Sequence, residues 1–571
     1  MKYKIFSILI LSLSLIFVSC SDDSSAGYDS NNSNNWNNMN NVNNTNNANN
    51  TNNGSNVNIG GVQDIGVFRQ KVENGEILPS SMFDENGFFS EHYIDYPFGS
   101  CGENLCLNGM LGHGISVIND DYMNVLQIVI KSYVDPENYE RPPTDFYVVL
   151  DVSGSMIYEQ KLEFAKQGLL YMIDNIREED RISLITYNSN VFYPWALSYL
   201  TSTAEKDELR GVISSLMPSG GTNIHSALDN AFSKIAQRED QSRYARIVFV
   251  SDGEPTAGNT NIEDIIAVAS NNASSDVQLT SIGVGYDINY ELMKELAMSG
   301  GNFYFIEDPS ALSDIFVEEL DFFSAPIAQD VSISVNATSE FYVGDAVGFP
   351  DWIQEGNGGF CDFSDMYIVS RTTNNVEDPH SRRGGGSALF IKLISQNDFR
   401  DLSNIFINFD YYDPINDKEV HQEVSVDQLA GDGVVPVDNY YSEEEMKKSF
   451  LMLNIYLGVK KSLQEFEYGN YKESYEVLSA TIEHADTKNQ DLQDDDIEAD
   501  LLLMSQLLNN ISIYYNSGYN DPDNCDEYGC DNNNGEVEYV DYGCSSTNTT
   551  SLPIILVILF PAAILLKKRL F

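Results

Sequence analysis

The spacing of hydrophobic residues changes several times along the chain. Residues 124–130 alternate apolar and polar side chains, which predicts half-buried strands within the segment 62–144. Residues 145–326 alternate short apolar runs with stretches of helical spacing, which predicts a parallel sheet with helices on both faces. Strand-like runs return over 327–436, and helical spacing follows over 437–516.

The predicted fold class is α/β: a Rossmann-like doubly wound parallel sheet, flanked by β-sandwich strands and followed by a C-terminal α-helical module. Residues 62–144 and 327–436 can form one sandwich into which the α/β block is inserted, because the ends of α/β domains commonly lie close together. Two separate small β units are the alternative. Within the helical module, we interpret the acidic residues 491–500 as a loop between helices.

Both ends of the chain have the pattern of targeting segments. Residues 1–20 combine a basic start, a short apolar run and a small residue before Cys20, as in a secretory signal peptide. The end of this segment resembles a bacterial lipobox, in which Cys20 is lipidated; an ordinary signal peptide with an incidental cysteine is the alternative. Residues 551–571 combine an apolar stretch with a basic cluster. They resemble a C-terminal sorting tag, and a simple tail anchor is the alternative.

From these ends we expect a membrane-anchored protein of the bacterial cell envelope, at the outer membrane or the cell surface. Two polar segments separate the ends from the folded part. Residues 31–54 are eight copies of Asn-Asn-x, and we predict a disordered linker over 21–61 because such a tract has almost nothing to bury. Residues 517–550 are acidic and rich in Gly and Asn, and predict a second linker.

Composition and charge narrow the classes of partner. Hydrophobic residues make up 42% of the chain, which excludes wholesale disorder. The chain has 86 acidic residues against 32 Lys and Arg, and a formal net charge of −54. A protein this acidic does not hold nucleic acid by neutralising phosphates, and it favours cationic partners and divalent metals.

The chain has seven cysteines. Besides Cys20, two pairs are five positions apart, a spacing that suits local disulfides in an oxidising compartment. These pairs are Cys101 with Cys106 and Cys525 with Cys530. Cys361 and Cys544 could pair with each other, or Cys544 could belong to the C-terminal tag.

An acid and two hydroxyls follow the first strand of the α/β block. The apolar run 145–150 ends in Asp151-Val152-Ser153-Gly154-Ser155, and a predicted helix over 161–176 comes next. Open α/β sheets bind ligands at the carboxyl ends of their strands. The alternate spacing lets the three polar side chains converge as the chain turns.

This pattern resembles the metal-ion-dependent adhesion site of von Willebrand factor type A domains. The loop 220–223 before a predicted helix, and the strand 245–250 that leads into Ser251-Asp252-Gly253, match further parts of that family in the same order. The resemblance covers about residues 144–324. The site residues that it implies are Asp151, Ser153, Ser155, Thr222 and Asp252.

The resemblance implies a divalent cation, with Mg²⁺ ahead of Mn²⁺ and Ca²⁺. Mg²⁺ prefers oxygen ligands at about 2.0–2.1 Å in near-octahedral geometry. Two carboxylates and three neutral hydroxyls leave such an ion electrophilic, so its open position favours an exposed carboxylate of a protein ligand. Taken singly, these residues could instead be helix caps and turn residues.

The pattern sets no general base or nucleophile beside the site, so we expect no enzymatic activity. The predicted function is a metal-dependent protein-binding or adhesion protein of the envelope. The alternative is an envelope assembly or scaffolding factor for a membrane complex. In both cases the membrane is reached through lipidated Cys20, through the C-terminal apolar segment, or through both.

Overall fold

A computed structural model of the protein describes residues 55–516, except for 120, 135–140, 275, 299–300, 307–310, 312–314, 317–324, 338–340, 370–381, 383, 396–404 and 427–438. The predicted signal peptide with Cys20 and most of the Asn-rich linker lie outside the described residues. The same holds for the acidic linker and the C-terminal tail, and so for Cys525, Cys530 and Cys544.

The elements before the α/β block are, in chain order, β1 (Ser55–Ile59), β2 (Gly61–Val62), α1 (Gly66–Glu73), α2 (Glu85–Ser90), β3 (Leu105–Ile115) and β4 (Tyr122–Ser132). Those of the α/β block are β5 (Thr144–Asp151), α3 (Lys161–Asn175), β6 (Arg181–Tyr187), β7 (Val191–Tyr199), α4 (Thr203–Ser214), α5 (Ile224–Ala236), β8 (Tyr244–Ser251), α6 (Ile262–Asn272), β9 (Val277–Val284), α7 (Tyr290–Ala297) and β10 (Asn302–Ile306). Short 3₁₀ turns cover Ser80–Met82 and Gly154–Gln160.

The elements after the α/β block are β11 (Ala328–Asn336), β12 (Phe341–Val347), β13 (Ile353–Glu355), β14 (Gly358–Ile368), β15 (Leu389–Ser395), β16 (Ile405–Asp413), β17 (Lys418–Val426), β18 (Tyr440–Tyr441), α8 (Glu445–Glu467), α9 (Tyr471–Leu492) and α10 (Asp495–Asn516).

Strands from both sides of the α/β block pair with one another. One layer runs β12-β15-β4-β3-β18 and the other runs β14-β11-β16-β17, with β13 beside β14. Strand β1 joins the layers, because it pairs first with β4 and then with β14. The facing sides bury one apolar core that includes Leu126, Ile128, Ile333 and Ile407. The α/β block therefore enters the chain between strands of a single sandwich.

One sequence prediction about the N-terminal part is wrong. The disordered linker does not extend to residue 61, since Ser55–Ile59 is a strand. Its asparagines give it the composition of a linker, but the Asn56 amide donates to the carbonyls of Ile94 and Gly385, at 3.0 and 2.9 Å. The segment 62–144 also contains α1 and α2 beside its strands.

The α/β sheet has the strand order β2-β10-β9-β8-β5-β6-β7. Its strands are parallel except β7, which runs antiparallel to β6 at the edge. Helices α3 and α4 bury apolar side chains against one face, and α5, α6 and α7 against the other. This bears out the doubly wound prediction, although β2 comes from outside the predicted range 145–326 and β7 is not a parallel strand.

The helical module packs against the face of the β3–β4 layer that is turned away from the sandwich core. Its acidic run is not a loop: Asp495–Asn516 is helical, so that interpretation of residues 491–500 is wrong. The Asp500 carboxylate is buried, 2.7 Å from His92 Nε2 and 3.0 Å from Arg382 Nη1. Burial opposes its charge, but the contacts with His92 and Arg382 hold the pKa of Asp500 below its usual value.

Two smaller observations concern cysteines and membranes. Cys101 and Cys106 form a disulfide, and Cys361 is a buried free thiol. Within the part of the chain that the structure describes, every helix is too short or too polar to cross a membrane.

The sheet of the α/β block meets the sandwich through buried polar groups. Asp365 of β14 accepts a hydrogen bond of 2.8 Å from the Gln278 amide of β9. Arg246 of β8 lies over the Tyr367 ring, with its guanidinium carbon 5.7 Å from the centroid. Burial raises the pKa of Asp365 to about 7. The α/β sheet is therefore joined to the sandwich by a buried hydrogen bond as well as by apolar packing.

We expect Asp365→Asn to stabilise the protein increasingly as pH rises. The folded pKa is about 7, and an unfolded aspartate titrates near about 3.9. Below the pKa of the unfolded chain, the neutral Asp365 carboxyl contributes fully to the stability of the fold. That contribution is lost as pH rises through the pKa of the folded protein. Asparagine stays neutral, so its advantage should grow by an amount on the order of 3 kcal/mol between about pH 4.5 and about pH 8.

Urea unfolding at the two pH values measures this difference, with the exposed neighbour variant Asp362→Asn as the matched control. An advantage of Asp365→Asn that stays constant or shrinks with rising pH would contradict the assignment.

Candidate metal centre

Three loops at one edge of the α/β sheet hold the five predicted site residues. Asp151 is the last residue of β5, and Asp252 follows β8, which is the strand beside β5. Ser153 and Ser155 lie in the turn after β5, and Thr222 lies in the loop before α5. The carboxyl ends of parallel strands meet at the same edge, and this topology brings the loops together.

Backbone hydrogen bonds tie the three loops to one another. The Gly154 N–H donates to the Gly220 carbonyl at 2.9 Å, and the Ser219 N–H donates to the Val152 carbonyl at 2.8 Å. The Thr256 N–H donates to the Thr222 carbonyl at 3.0 Å. The Ser-rich turn, the loop with Thr222 and the loop with Asp252 thus form one connected surface.

Asp151 is fully buried and its two carboxylate oxygens accept from protein donors. Oδ1 accepts the Ser153 N–H at 2.7 Å. Oδ2 accepts the hydroxyls of Ser251 at 2.7 Å and of Tyr187 at 3.2 Å. Burial, and secondly the charge of Asp252, raise the pKa of Asp151 to about 6. Where a cation binds, this carboxylate would support it from a position that three protein donors fix.

The two serines offer neighbouring oxygen ligands. Ser153 Oγ and Ser155 Oγ lie 3.1 Å apart. Adjacent oxygens around Mg²⁺ in octahedral geometry are about 3 Å apart, since each lies roughly 2.0–2.1 Å from the ion. Together with the Asp252 carboxylate and the Thr222 hydroxyl, which the neighbouring loops carry, they would make an all-oxygen donor set. This chemistry fits a hard divalent cation.

Asp252 is also buried, and a lysine occupies one of its oxygens. Lys161 Nζ donates to Asp252 Oδ2 at 3.2 Å and also to Asp287. Asp252 Oδ1 has a long contact of 3.4 Å with the Glu254 N–H and is the oxygen left for an ion. Burial opposes the charge of Lys161, but the two acids hold its pKa above the usual value.

Among the described residues, no cluster of three or more His, Cys, Asp or Glu side chains is arranged to hold a metal. The site depends on hydroxyls beside two carboxylates, so it differs from sites built on such clusters. Where a cation binds, Ser153, Ser155, Thr222 and Asp252 would hold it and Asp151 would support them. The ion would supply an electrophilic position for an anionic group.

Sequence reasoning missed three residues that support the site: Ser251, Tyr187 and Lys161. Ser251 and Tyr187 are the last residues of strands β8 and β6, so the sequence pattern assigns them to the sheet and gives no sign of a role in the site. Lys161 had one available signal: it is a cation at the first position of a helix, where the helix dipole disfavours positive charge.

An open α/β sheet with oxygen-bearing side chains at its carboxyl edge is typical of a class of binding domains. Comparison with known proteins gives the family of this domain. Residues 145–318 match the family model described as von Willebrand factor type A domain. This segment is therefore a von Willebrand factor type A domain. Proteins use such domains to bind other proteins, and the domains commonly hold a divalent metal ion at this edge.

Similar proteins differ widely in origin. The human inter-alpha-trypsin inhibitor heavy chain H2 is 24% identical over 308 residues, which are 52% of this chain and 31% of the relative. The uncharacterised protein YfbK of Escherichia coli K12 is 26% identical over 35% of each chain. A solved von Willebrand factor type A structure from Catenulispora acidiphila covers 69% of this chain and 90% of its own, at 11% identity and a TM-score of 0.46. This chain thus spans about a third of the length of these curated relatives.

We expect Ser251→Ala to weaken cation binding although Ser251 is not among the predicted ligands. The variant removes one of the hydroxyls that fix the Asp151 carboxylate, and loss of such supporting hydrogen bonds typically costs about 10–100-fold in metal affinity. Titration with Mn²⁺, followed by electron paramagnetic resonance of the free ion, measures the effect.

The matched control is Ser270→Ala, an exposed serine on α6 in the same domain. Equal Mn²⁺ affinity of Ser251→Ala and the wild type would show that the hydrogen bonds of Asp151 do not support the ion.

Proposed function

We propose that the protein is a metal-dependent protein-binding or adhesion protein of the bacterial cell envelope. A divalent cation, with Mg²⁺ as the first candidate, binds at the edge of the type A domain. It captures an exposed carboxylate on a protein partner. The protein acts by binding and has no enzymatic activity of its own.

The observation that carries this proposal is the pairing of Ser153 Oγ and Ser155 Oγ at 3.1 Å beside two buried aspartates. Like charges on neighbouring buried carboxylates repel, and a bound cation relieves that repulsion. The hydroxyls supply further ligands without adding negative charge. A cation held in this way keeps attraction for one more anionic ligand.

The surface next to the serines supports a protein as the partner. Ile157 and Tyr158 follow Ser155 closely and are 64% and 67% exposed. Tyr286 is 48% exposed, and its N–H donates to Glu159 of the same turn at 2.9 Å. Apolar side chains grouped beside a polar site are typical of surfaces that bind proteins.

We expect Asp151→Ala to abolish both cation binding and cation-dependent capture of a partner. Removal of the buried carboxylate takes away half of the negative charge of the site. The measurement combines Mn²⁺ titration of the purified variant with crosslinking in intact cells, each with and without chelator. The control is Asp229→Ala, an exposed aspartate on α5.

Crosslinks that disappear with chelator and in Asp151→Ala, but persist in Asp229→Ala, support the proposal. Unchanged metal content and unchanged crosslinks in Asp151→Ala would contradict it. The crosslinked species separate the two envelope roles: an adhesin contacts foreign or cell-surface material, and an assembly factor contacts its own membrane neighbours.

The envelope location is supported by the sequence of residues 1–20 and 551–571, which lie outside the described residues. We expect Cys20→Ser to abolish incorporation of labelled fatty acid and to reduce the membrane-bound fraction. Fractionation and labelling of cells that express the two forms measure this. Labelling that persists in Cys20→Ser would contradict lipidation at this cysteine.

A further inference from the structure

On the basis of the metal site proposed above, we infer that Lys161 tunes that site: it weakens the hold on the cation and strengthens the attraction of the cation for a partner's carboxylate. The ammonium does so by offsetting the negative charge of Asp252, to which it is hydrogen-bonded at 3.2 Å. Lys161 is thus a specificity-determining residue rather than a ligand.

The backbone is built to place Lys161 at the site. Glu159 and Gln160 both adopt left-handed conformations, with φ of 53° and 58°, immediately before α3 begins at Lys161. Non-glycine residues rarely adopt this conformation, and two in succession persist only where the surroundings impose it. From this position the lysine reaches Asp252, directly after the end of β8.

A glycine leaves the space for the lysine stem. Gly285 follows β9, and a Cβ at that position would lie 2.1 Å from Lys161 Cε. A residue with a Cβ there would force the lysine stem to move from its path. Only 1% of the lysine side chain is exposed, so its charge acts in a site from which water is largely excluded.

The positive charge of Lys161 lies at the start of helix α3, where the helix dipole disfavours it. The N-terminus of a helix carries partial positive charge, so a lysine at the first position of α3 is unfavourable unless acids compensate. Asp252 and Asp287 supply that compensation. Asp287 is 70% exposed, so solvent screens its charge and it offsets the ammonium only in part.

The charge balance determines the sign of the effect. A divalent ion and two ionised aspartates sum to zero, so a further anion is attracted only by the open position of the ion itself. The buried ammonium, which the exposed Asp287 offsets only in part, adds net positive charge to that attraction. It therefore lowers the affinity for the cation and raises the affinity of the loaded site for a carboxylate. If Lys161 only stabilised the fold, its replacement would change the affinity for the cation and the affinity for the carboxylate in the same direction.

The experiment uses the full chain, Mn²⁺ as the ion and acetate as the carboxylate probe. Water-proton relaxation reports Mn²⁺ binding, and its decrease on acetate addition reports displacement of metal-bound water. For Lys161→Gln we expect Mn²⁺ affinity to rise about tenfold and acetate affinity to fall by several-fold. Lys166→Gln, which removes a buried lysine of the same helix that pairs with Glu163, should change neither.

Asp287→Asn should shift both affinities in the direction opposite to Lys161→Gln. Because Asp287 is exposed, this variant should fold and can test the inference even if Lys161→Gln does not fold. Without the Asp287 charge, the ammonium is less compensated, so Mn²⁺ affinity should fall and acetate affinity should rise, each by about threefold. Asp229→Asn is its control for the same change of net charge at a distance.

Opposite shifts of the two affinities, with opposite signs in the two variants, support the inference. Parallel losses of both affinities, or no change in Asp287→Asn, would overturn it while leaving the metal site intact. Absence of Mn²⁺ binding by the wild-type chain would instead contradict the proposed function, and the inference with it.

Discussion

The site depends on holding two buried carboxylates, Asp151 and Asp252, beside each other at the edge of one sheet. Each would be costly alone in a low-dielectric environment, and each makes the other more costly. The protein compensates with donors rather than with charge around Asp151, through Ser251, Tyr187 and the Ser153 N–H. Around Asp252 it uses the Lys161 ammonium. The two carboxylates carry more charge than the one ammonium offsets, and this remaining negative charge favours a cation at the edge.

The sandwich supports the sheet that carries this edge. The sandwich is assembled from strands on both sides of the type A domain, so the domain is held at both of its ends. Strands β1 and β2 lie next to each other in sequence yet pair with different sheets, β1 with the sandwich and β2 with β10. The buried polar contact between Asp365 and Gln278 adds a second link. Under the proposed function, the edge that would capture a partner is thereby connected to the scaffold that carries the domain.

Much of the fold follows from local pattern. The apolar run before Asp151 and the helical spacing before and after Thr222 predict the parallel sheet and its helices, because burial on both faces leaves a strong periodic signal. What the pattern misses depends on contacts between residues far apart in sequence. Asn56 of β1 has the composition of a linker residue, and only the fold shows that its amide donates to the carbonyls of Ile94 and Gly385. The acids of α10 look solvated until His92 and Arg382 pair with them. For the same reason a motif predicts the ligands, while the contacts of Ser251 and Lys161 with the two aspartates appear only in the folded structure.

The most direct measurement is the anomalous scattering of a crystal soaked in Mn²⁺. The account predicts one anomalous peak at the edge of the α/β sheet, within ligand distance of Ser153 Oγ, Ser155 Oγ and a carboxylate oxygen of Asp252. A fully soaked crystal with no peak there, and with these three side chains directed away from a common point, would contradict it.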